Sequence, residues 1–255
     1  VIFAGLEYPD IKYIVEWPAF LFKDSDLLAF NKIALISFIA FAVPTLLFLA
    51  ARRQTGPVPK GARNVAEAVV DFVDSGIIKP TIGHGGEVYL PFLLSLFLFI
   101  AIGNLHEVIP FFQMPANARM GGPMVLALIV WVTWIGVAIK HQGISFFTHV
   151  VWPPNVPGAL KPFVGLLEFL STFLIRPFSH AVRLFANMLA GHILLVTIGV
   201  MCIALWQASA LAVVEAVTFP FLVVMTGFEI FVSVLQAYVF TILTAVYIAG
   251  SRSHH

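Results

Sequence analysis

FVGLLEFLSTFLIRPFSHAVRLFANMLAGHILLVTIGVMCIALWQASALAVVEAVTFPFLVVMTGFEIFVSVLQAYVFTILTAVYIA, residues 163–249, is apolar almost without pause. A bilayer core of about 30 Å is crossed by roughly 20 apolar residues in a helix, so this run is far too long for one crossing. The expected hinge is WQASA, residues 206–210. It leaves two helices of about 40 residues, each about 60 Å long at 1.5 Å per residue and twice the membrane thickness. Such helices must tilt strongly, bend or leave the bilayer. Pro177 and Pro220 are the expected kink points.

The rest of the chain agrees with a membrane solvent. Its 255 residues are 60% hydrophobic and 11% charged, with a mean hydropathy of +0.98. Soluble domains carry roughly 25% charged residues. These figures exclude a soluble globular enzyme and a disordered protein. A net charge of +1 suggests no polyanionic partner and no nucleic acid. Cys202 is the lone cysteine, so there is no internal disulfide. The fold class expected is an all-α integral membrane protein.

Working towards the N-terminus, three shorter spans are expected at residues 27–51, 88–109 and 124–139, with the long helices at 163–206 and 211–249. Residues 1–26, acidic and aromatic, form an N-terminal external segment, and residues 27–255 a single membrane domain. The first span does not read as a cleaved signal peptide, because of the segment before it and the lack of a small-residue cleavage site. Residues 64–78 differ from the spans. Val65, Val69, Phe72, Val73 and Ile77 share one helical face, and Glu67, Asp71 and Asp74 share another. That pattern suits a helix lying in the membrane interface. The cluster Arg52, Arg53, Lys60 and Arg63 places the first loop inside, hence the N-terminus outside and the C-terminus, with Arg252, in the cytoplasm. Five crossings reconcile every basic cluster, with Arg119 as the single exception.

Ionisable residues inside an apolar span cost roughly 2.5–3.5 kcal/mol each, so each needs a reason. The two long helices hold Glu168, Arg176, His180, Arg183, His192, Glu215 and Glu229, together with Asn187 and Gln236. Glu168 and Arg176 lie near an end and can reach the surface. Arg183 is flanked by apolar residues on both sides. At about 100° per residue, Asn187 falls on nearly the face of Arg183, while His192 lies about 180° away. Glu215, Glu229 and Gln236 fall within about 60° of one another on the last helix. A carboxylate and amide stripe opposite a histidine is, chemically, a proton relay. Ala186 and Ala190 form a small-xxx-small pair that lets a neighbouring helix approach closely, or simply packs the bundle.

Other motifs fail. His106-Glu107 begins like a zinc-protease motif, but Pro110 stands where its second histidine belongs. Gly83–Gly86 lacks the end of a phosphate loop. No cofactor or metal is expected.

The run Arg176-Pro177-Phe178-Ser179-His180-Ala181-Val182-Arg183-Leu184-Phe185-Ala186-Asn187-Met188-Leu189-Ala190-Gly191-His192 closely resembles the signature of subunit a of the F-type ATP synthases. Glu229, seven residues before the run Gln236-Ala237-Tyr238-Val239-Phe240, resembles that family's last helix, and Asn104-Leu105 with Ile109-Pro110 resembles the end of an earlier span. The resemblance implies a non-catalytic, proton-conducting stator subunit of a rotary ATP synthase in its bacterial form. Its partners would be the c-ring, the b-type peripheral stalk and the remaining subunits, in the lipid bilayer. It implies two offset half-channels leading to a ring carboxylate and separated by Arg183. Asn187, His192, Glu229 and Gln236 match positions along the outward half-channel, with Ser179 and Glu107 added to the proton pathway. The His192 and Glu229 couple stands in the reverse order to that of some members. The implied location is a bacterial plasma membrane, with an organellar inner membrane as the alternative. An independent secondary ion transporter and a plain structural anchor remain as competing readings; the anchor leaves Arg183 unexplained.

Overall fold

A computed structural model describes residues 31–53, 56, 58–109, 112–143, 145–152, 157, 160–205 and 212–252. Every element among them is helical: α1 (Lys32–Arg52), α2 (Ala62–Val73), α3 (Lys79–Thr81), α4 (Leu90–Leu105), α5 (Gly121–Gln142), α6 (Ser145–Val151), α7 (Lys161–Leu170), α8 (Arg176–Leu205) and α9 (Ala212–Arg252). A short 3-10 turn, Glu87–Tyr89, leads into α4, and widened π turns at Asp74–Ile78 and Ser171–Ile175 join α2 to α3 and α7 to α8. Five stretches are long and apolar enough to cross a membrane: Lys32–Arg52, Glu87–Leu105, Gly121–Gln142, Lys161–Leu205 and Val213–Arg252. The chain is an all-α integral membrane protein. The last two stretches hold 45 and 40 residues, about 68 and 60 Å of helix. Residues 1–30, the start of the first expected span and the expected hinge at 206–210 lie outside the described residues.

Both π turns have a common local cause. Proline has no N–H to donate, and its ring crowds the carbonyl four residues earlier. For Pro177 that carbonyl belongs to Phe173, at the centre of Ser171–Ile175; for Pro80 it belongs to Gly76, at the centre of Asp74–Ile78. Widening the turn relieves the clash but leaves carbonyls without helical partners. Aromatic donors from elsewhere take them: the Tyr238 hydroxyl donates to Gly76 O at 3.3 Å, and Trp131 Nε1 donates to Thr172 O at 3.3 Å. The irregularity expected near Pro177 is therefore a widened turn just before it.

The chain divides into two compact units. The first comprises Val1–Val43, Phe99–Arg119 and Phe185–Ala237. Its loop after α4 folds back on that helix. Ala116 N donates to Gly103 O at 3.1 Å, and Asn117 Nδ2 donates to Asn104 Oδ1 at 2.7 Å between two buried side chains. Ile36, Met114 and Ala116 pack there with Ile33 and Phe112. A Cβ at Gly103 would stand 3.1 Å from that of Ala116, so glycine is what lets the loop lie so close.

The second unit comprises Pro44–Leu98, Met120–Leu184 and Tyr238–His255. Here α2 begins after Gly61, whose φ of 54° suits a glycine. It is braced by Arg63 Nε on Glu67 Oε1 at 2.7 Å, and its Phe72 meets Phe97 and Tyr238 at 5.5 and 6.0 Å between ring centroids. Lys79 Nζ lies 2.7 Å from Asp74 Oδ2, and that bond and charge hold the ammonium above its ordinary pKa. Arg176, expected to reach the surface, is half-buried over Trp134 and Tyr247 at 5.6 and 5.7 Å. A cation over ring faces is worth about 0.5–2 kcal/mol, which offsets part of the burial. Gly165 is packed so tightly on the Val151 carbonyl that any Cβ would overlap it.

Candidate functional site

The first unit gathers the polar residues that an apolar chain has to account for. Glu107 sits in the turn immediately after α4, placed by the returning loop and the Asn104–Asn117 bond. His192 comes from α8, and its Nδ1 lies 3.7 Å from Glu107 Oε1. That is close enough for charge attraction and longer than a hydrogen bond. Both side chains are almost fully buried. Glu229, on α9, is 3% exposed. Its carboxylate rests against Gly191, the residue before His192; a Cβ at 191 would overlap it. The two carboxylates are near enough for Glu107 to feel the charge of Glu229. Further along α9, Gln236 is buried, and its Oε1 accepts from Asn187 Nδ2 at 2.6 Å.

A cavity of about 460 Å³ opens beside this cluster. Glu107 and His192 line it, with Lys32, Gln113 and Thr226 as further polar groups and Leu195, Val196 and Leu222 among the apolar ones. Burying a carboxylate without pairing is costly. Yet both oxygens of Glu107, Oε1 of Glu229, Nε2 of Gln236 and the Ser233 hydroxyl have no hydrogen-bond partner among the described residues. The cluster thus holds unused capacity to accept and donate protons next to open space.

Lys32 was visible in the sequence only as an interruption of the first span; its 8% exposure and its place in the cavity wall come from the structure. Glu215 is not part of the cavity wall. Its Oε2 accepts from the Thr218 hydroxyl at 3.2 Å, within its own helix.

In the second unit, Ser179 and Arg183 are exposed on α8, as is Phe178 at 57%. In the first unit, Ala186, Asn187 and Ala190 are exposed on the same helix. His180 is buried elsewhere, with its ring 3.8 Å from that of Phe240 and its Nε2 3.4 Å from Thr244 Oγ1.

Comparison with known proteins assigns the family. Residues 33–249 match the family model described as ATP synthase A chain. The chain is 42% identical over 254 residues to ATP synthase subunit a of Streptomyces lividans, covering 99% of this chain and 90% of that protein. It is 40% identical over 223 residues to the subunit a of Frankia alni, covering 87% and 76%, and 37% identical over 224 residues to that of Methylobacterium sp. (strain 4-46), covering 88% of each. On a match spanning nearly all the membrane helices, the chain belongs to the ATP synthase subunit a family.

Proposed function

We propose that the chain is the proton-conducting stator subunit of a bacterial rotary ATP synthase, itself without a catalytic centre for ATP chemistry. The observation that carries this reading is the burial of Glu107 and His192 in the wall of one cavity of a membrane protein, with the buried Glu229 carboxylate against the adjoining Gly191. An imidazole with an ordinary pKa of about 6.5 passes protons near neutrality, and carboxylates take them from it. Glu107, His192, Glu229, Asn187 and Gln236 form the outward half-channel. The cavity is its wide part, and the Asn187–Gln236 pair fixes one amide at its inner end. Ser179 belongs to the pathway as a hydroxyl on the exposed face of α8.

Arg183 has the other role. A ring carboxylate turning through lipid must be protonated, because the ionised form meets the full insertion cost. Opposite a guanidinium within about 4–6 Å the ionised form is favoured. Each ring carboxylate therefore loses a proton near Arg183 and regains one from the second half-channel before it moves on. The guanidinium never gives up its own proton, so no direct wire joins the two half-channels. One charge crossing 100 mV supplies about 2.3 kcal/mol, and repeated steps drive the rotation. The exposed face bearing Arg183, Ala186, Asn187 and Ala190 suits close approach of ring helices, since small side chains let backbones come near. The partners are then the c-ring, the b-type stalk and the other ATP synthase subunits.

Arg183→Ala tests this directly. The assembled complex should lose ATP-driven proton pumping and leak protons passively; normal pumping in the assembled variant overturns the role. The same reading puts the chain in the plasma membrane with its N-terminus outside and C-terminus in the cytoplasm. Cysteines placed at Arg63 and at the exposed Gly121 should then react with an impermeant reagent from opposite sides, and labelling from one side rejects that topology.

A further inference from the structure

Within the second unit, a cavity of about 590 Å³ is bounded by Thr81 and Ile82 after α3, His141 at the end of α5, and Val246, Ala249, Gly250 and Arg252 on the last turns of α9. Its volume is in the range of small-molecule sites. The wall is two-sided. Arg252 and His141 stand on the polar side, Ile82, Val246 and Ala249 on the apolar side, and no carboxylate among the described residues lines it. Gln142 Nε2 donates to Ser251 O at 2.9 Å and so ties the ends of α5 and α9 together. Arg252 is held as well: its Nη2 donates to the His84 carbonyl at 3.2 Å, and a Cβ at the adjoining Gly85 would come within 3.0 Å of that nitrogen. Gly85 has a φ of 77°, a left-handed conformation that suits glycine. The guanidinium's other amino nitrogen, Nη1, is buried and has no hydrogen-bond partner among the described residues.

A guanidinium fixed by one amino group, with a second donor unspent and an imidazole on the same wall, is built for an oxyanion. The apolar half has the chemistry of an acyl chain, and basic pockets between membrane helices hold anionic headgroups in this way. We propose that this cavity binds an anionic phosphate group through Arg252 and His141, carried by a phospholipid whose chain lies along Ile82, Val246 and Ala249. Free inorganic phosphate shares the headgroup chemistry and would use the polar side alone.

The test uses the purified complex containing the full chain, with Val246→benzoylphenylalanine as a photo-crosslinker, in nanodiscs of phosphatidylcholine mixed with phosphatidylglycerol. Mass spectrometry of the adducts should show phosphatidylglycerol enriched about tenfold over its share of the bilayer, which corresponds to ~1.4 kcal/mol of preference. Arg252→Gln should abolish the enrichment and Arg252→Lys should keep most of it. Ala249→Phe, which fills the apolar half and leaves Arg252 in place, should also abolish it. An enrichment that falls as inorganic phosphate is added shows that headgroup and free phosphate compete for Arg252 and His141, and upholds the anion site. No enrichment in the parent protein, or enrichment that survives both Arg252→Gln and Ala249→Phe, overturns the proposal.

Discussion

Helix α8 carries two buried histidines, His180 at 3% and His192 at 4% exposure, in contrasting surroundings. His180 lies against the rings of Phe240 and Tyr247, with the Thr244 hydroxyl as its polar neighbour. His192 faces the Glu107 carboxylate, follows the glycine on which Glu229 rests, and borders a cavity. Burial therefore does not separate the histidine proposed to handle protons from the one that packs. What separates them is whether a proton has somewhere to go. Among the described residues the aromatic site offers a hydroxyl but no carboxylate to take a proton, whereas the second site offers carboxylates and room. The two positions make opposite predictions when disturbed.

The largest effect is expected from Gly191→Ala. Alanine is the better helix former by about 1 kcal/mol, so α8 itself gains from the change. The new methyl group, however, needs the space that the Glu229 carboxylate occupies. Glu229 must swing away from its place against residue 191, and ATP-driven proton transport should fall at least about tenfold, a barrier increase of ~1.4 kcal/mol. Quenching of a pH-sensitive dye by vesicles carrying the assembled complex measures it. Near-normal transport would show that the position of Glu229 is unimportant and would remove the contrast with His180.

A smaller and sharper effect separates His192 from Glu229. Removing one member of a buried ionisable pair leaves the other uncompensated, which costs more than exchanging them. The double change His192→Glu with Glu229→His should retain more transport than Glu229→Leu alone. It should still fall short of the parent, because the new carboxylate at 192 then faces Glu107, and like charges repel. If the exchanged protein assembles but transports no better than Glu229→Leu, the two residues do not work as a couple.

Much of this was legible from residue order, and the parts that were not share a cause. Five membrane-length helices follow from hydropathy and length, because lipid forces every spanning backbone group into a helix. The acidic and apolar faces of residues 64–78 are equally local. The Glu107–His192 approach is not local: it joins a turn after α4 to the middle of α8. Periodicity along one helix says nothing of such a neighbour. Lys32 is similar, a polar break in the first span whose cavity-lining place depends on three other segments. The π turns lie between these cases. Prolines 80 and 177 are plain in the sequence, but the Tyr238 and Trp131 donors that make the widened turns affordable come from distant helices.

The smallest effect belongs to the other histidine, where His180→Phe keeps an aromatic ring between Phe240 and Tyr247. Among the described residues, the hydrogen-bonding side chain it deserts is the Thr244 hydroxyl, and that group already donates to the Phe240 carbonyl at 2.8 Å. No buried donor is orphaned, so the stability cost should stay near about 1 kcal/mol, the net worth of an ordinary hydrogen bond. Proton transport should remain within about a factor of two of the parent, less than ~0.5 kcal/mol of barrier. Its pH profile should be unmoved, since a packing histidine contributes no proton to the cycle. A profile displaced in His180→Phe, with assembly intact, would mean that protons do reach the aromatic cage. The two histidines of α8 would then be stations on one path rather than a relay and a packing group.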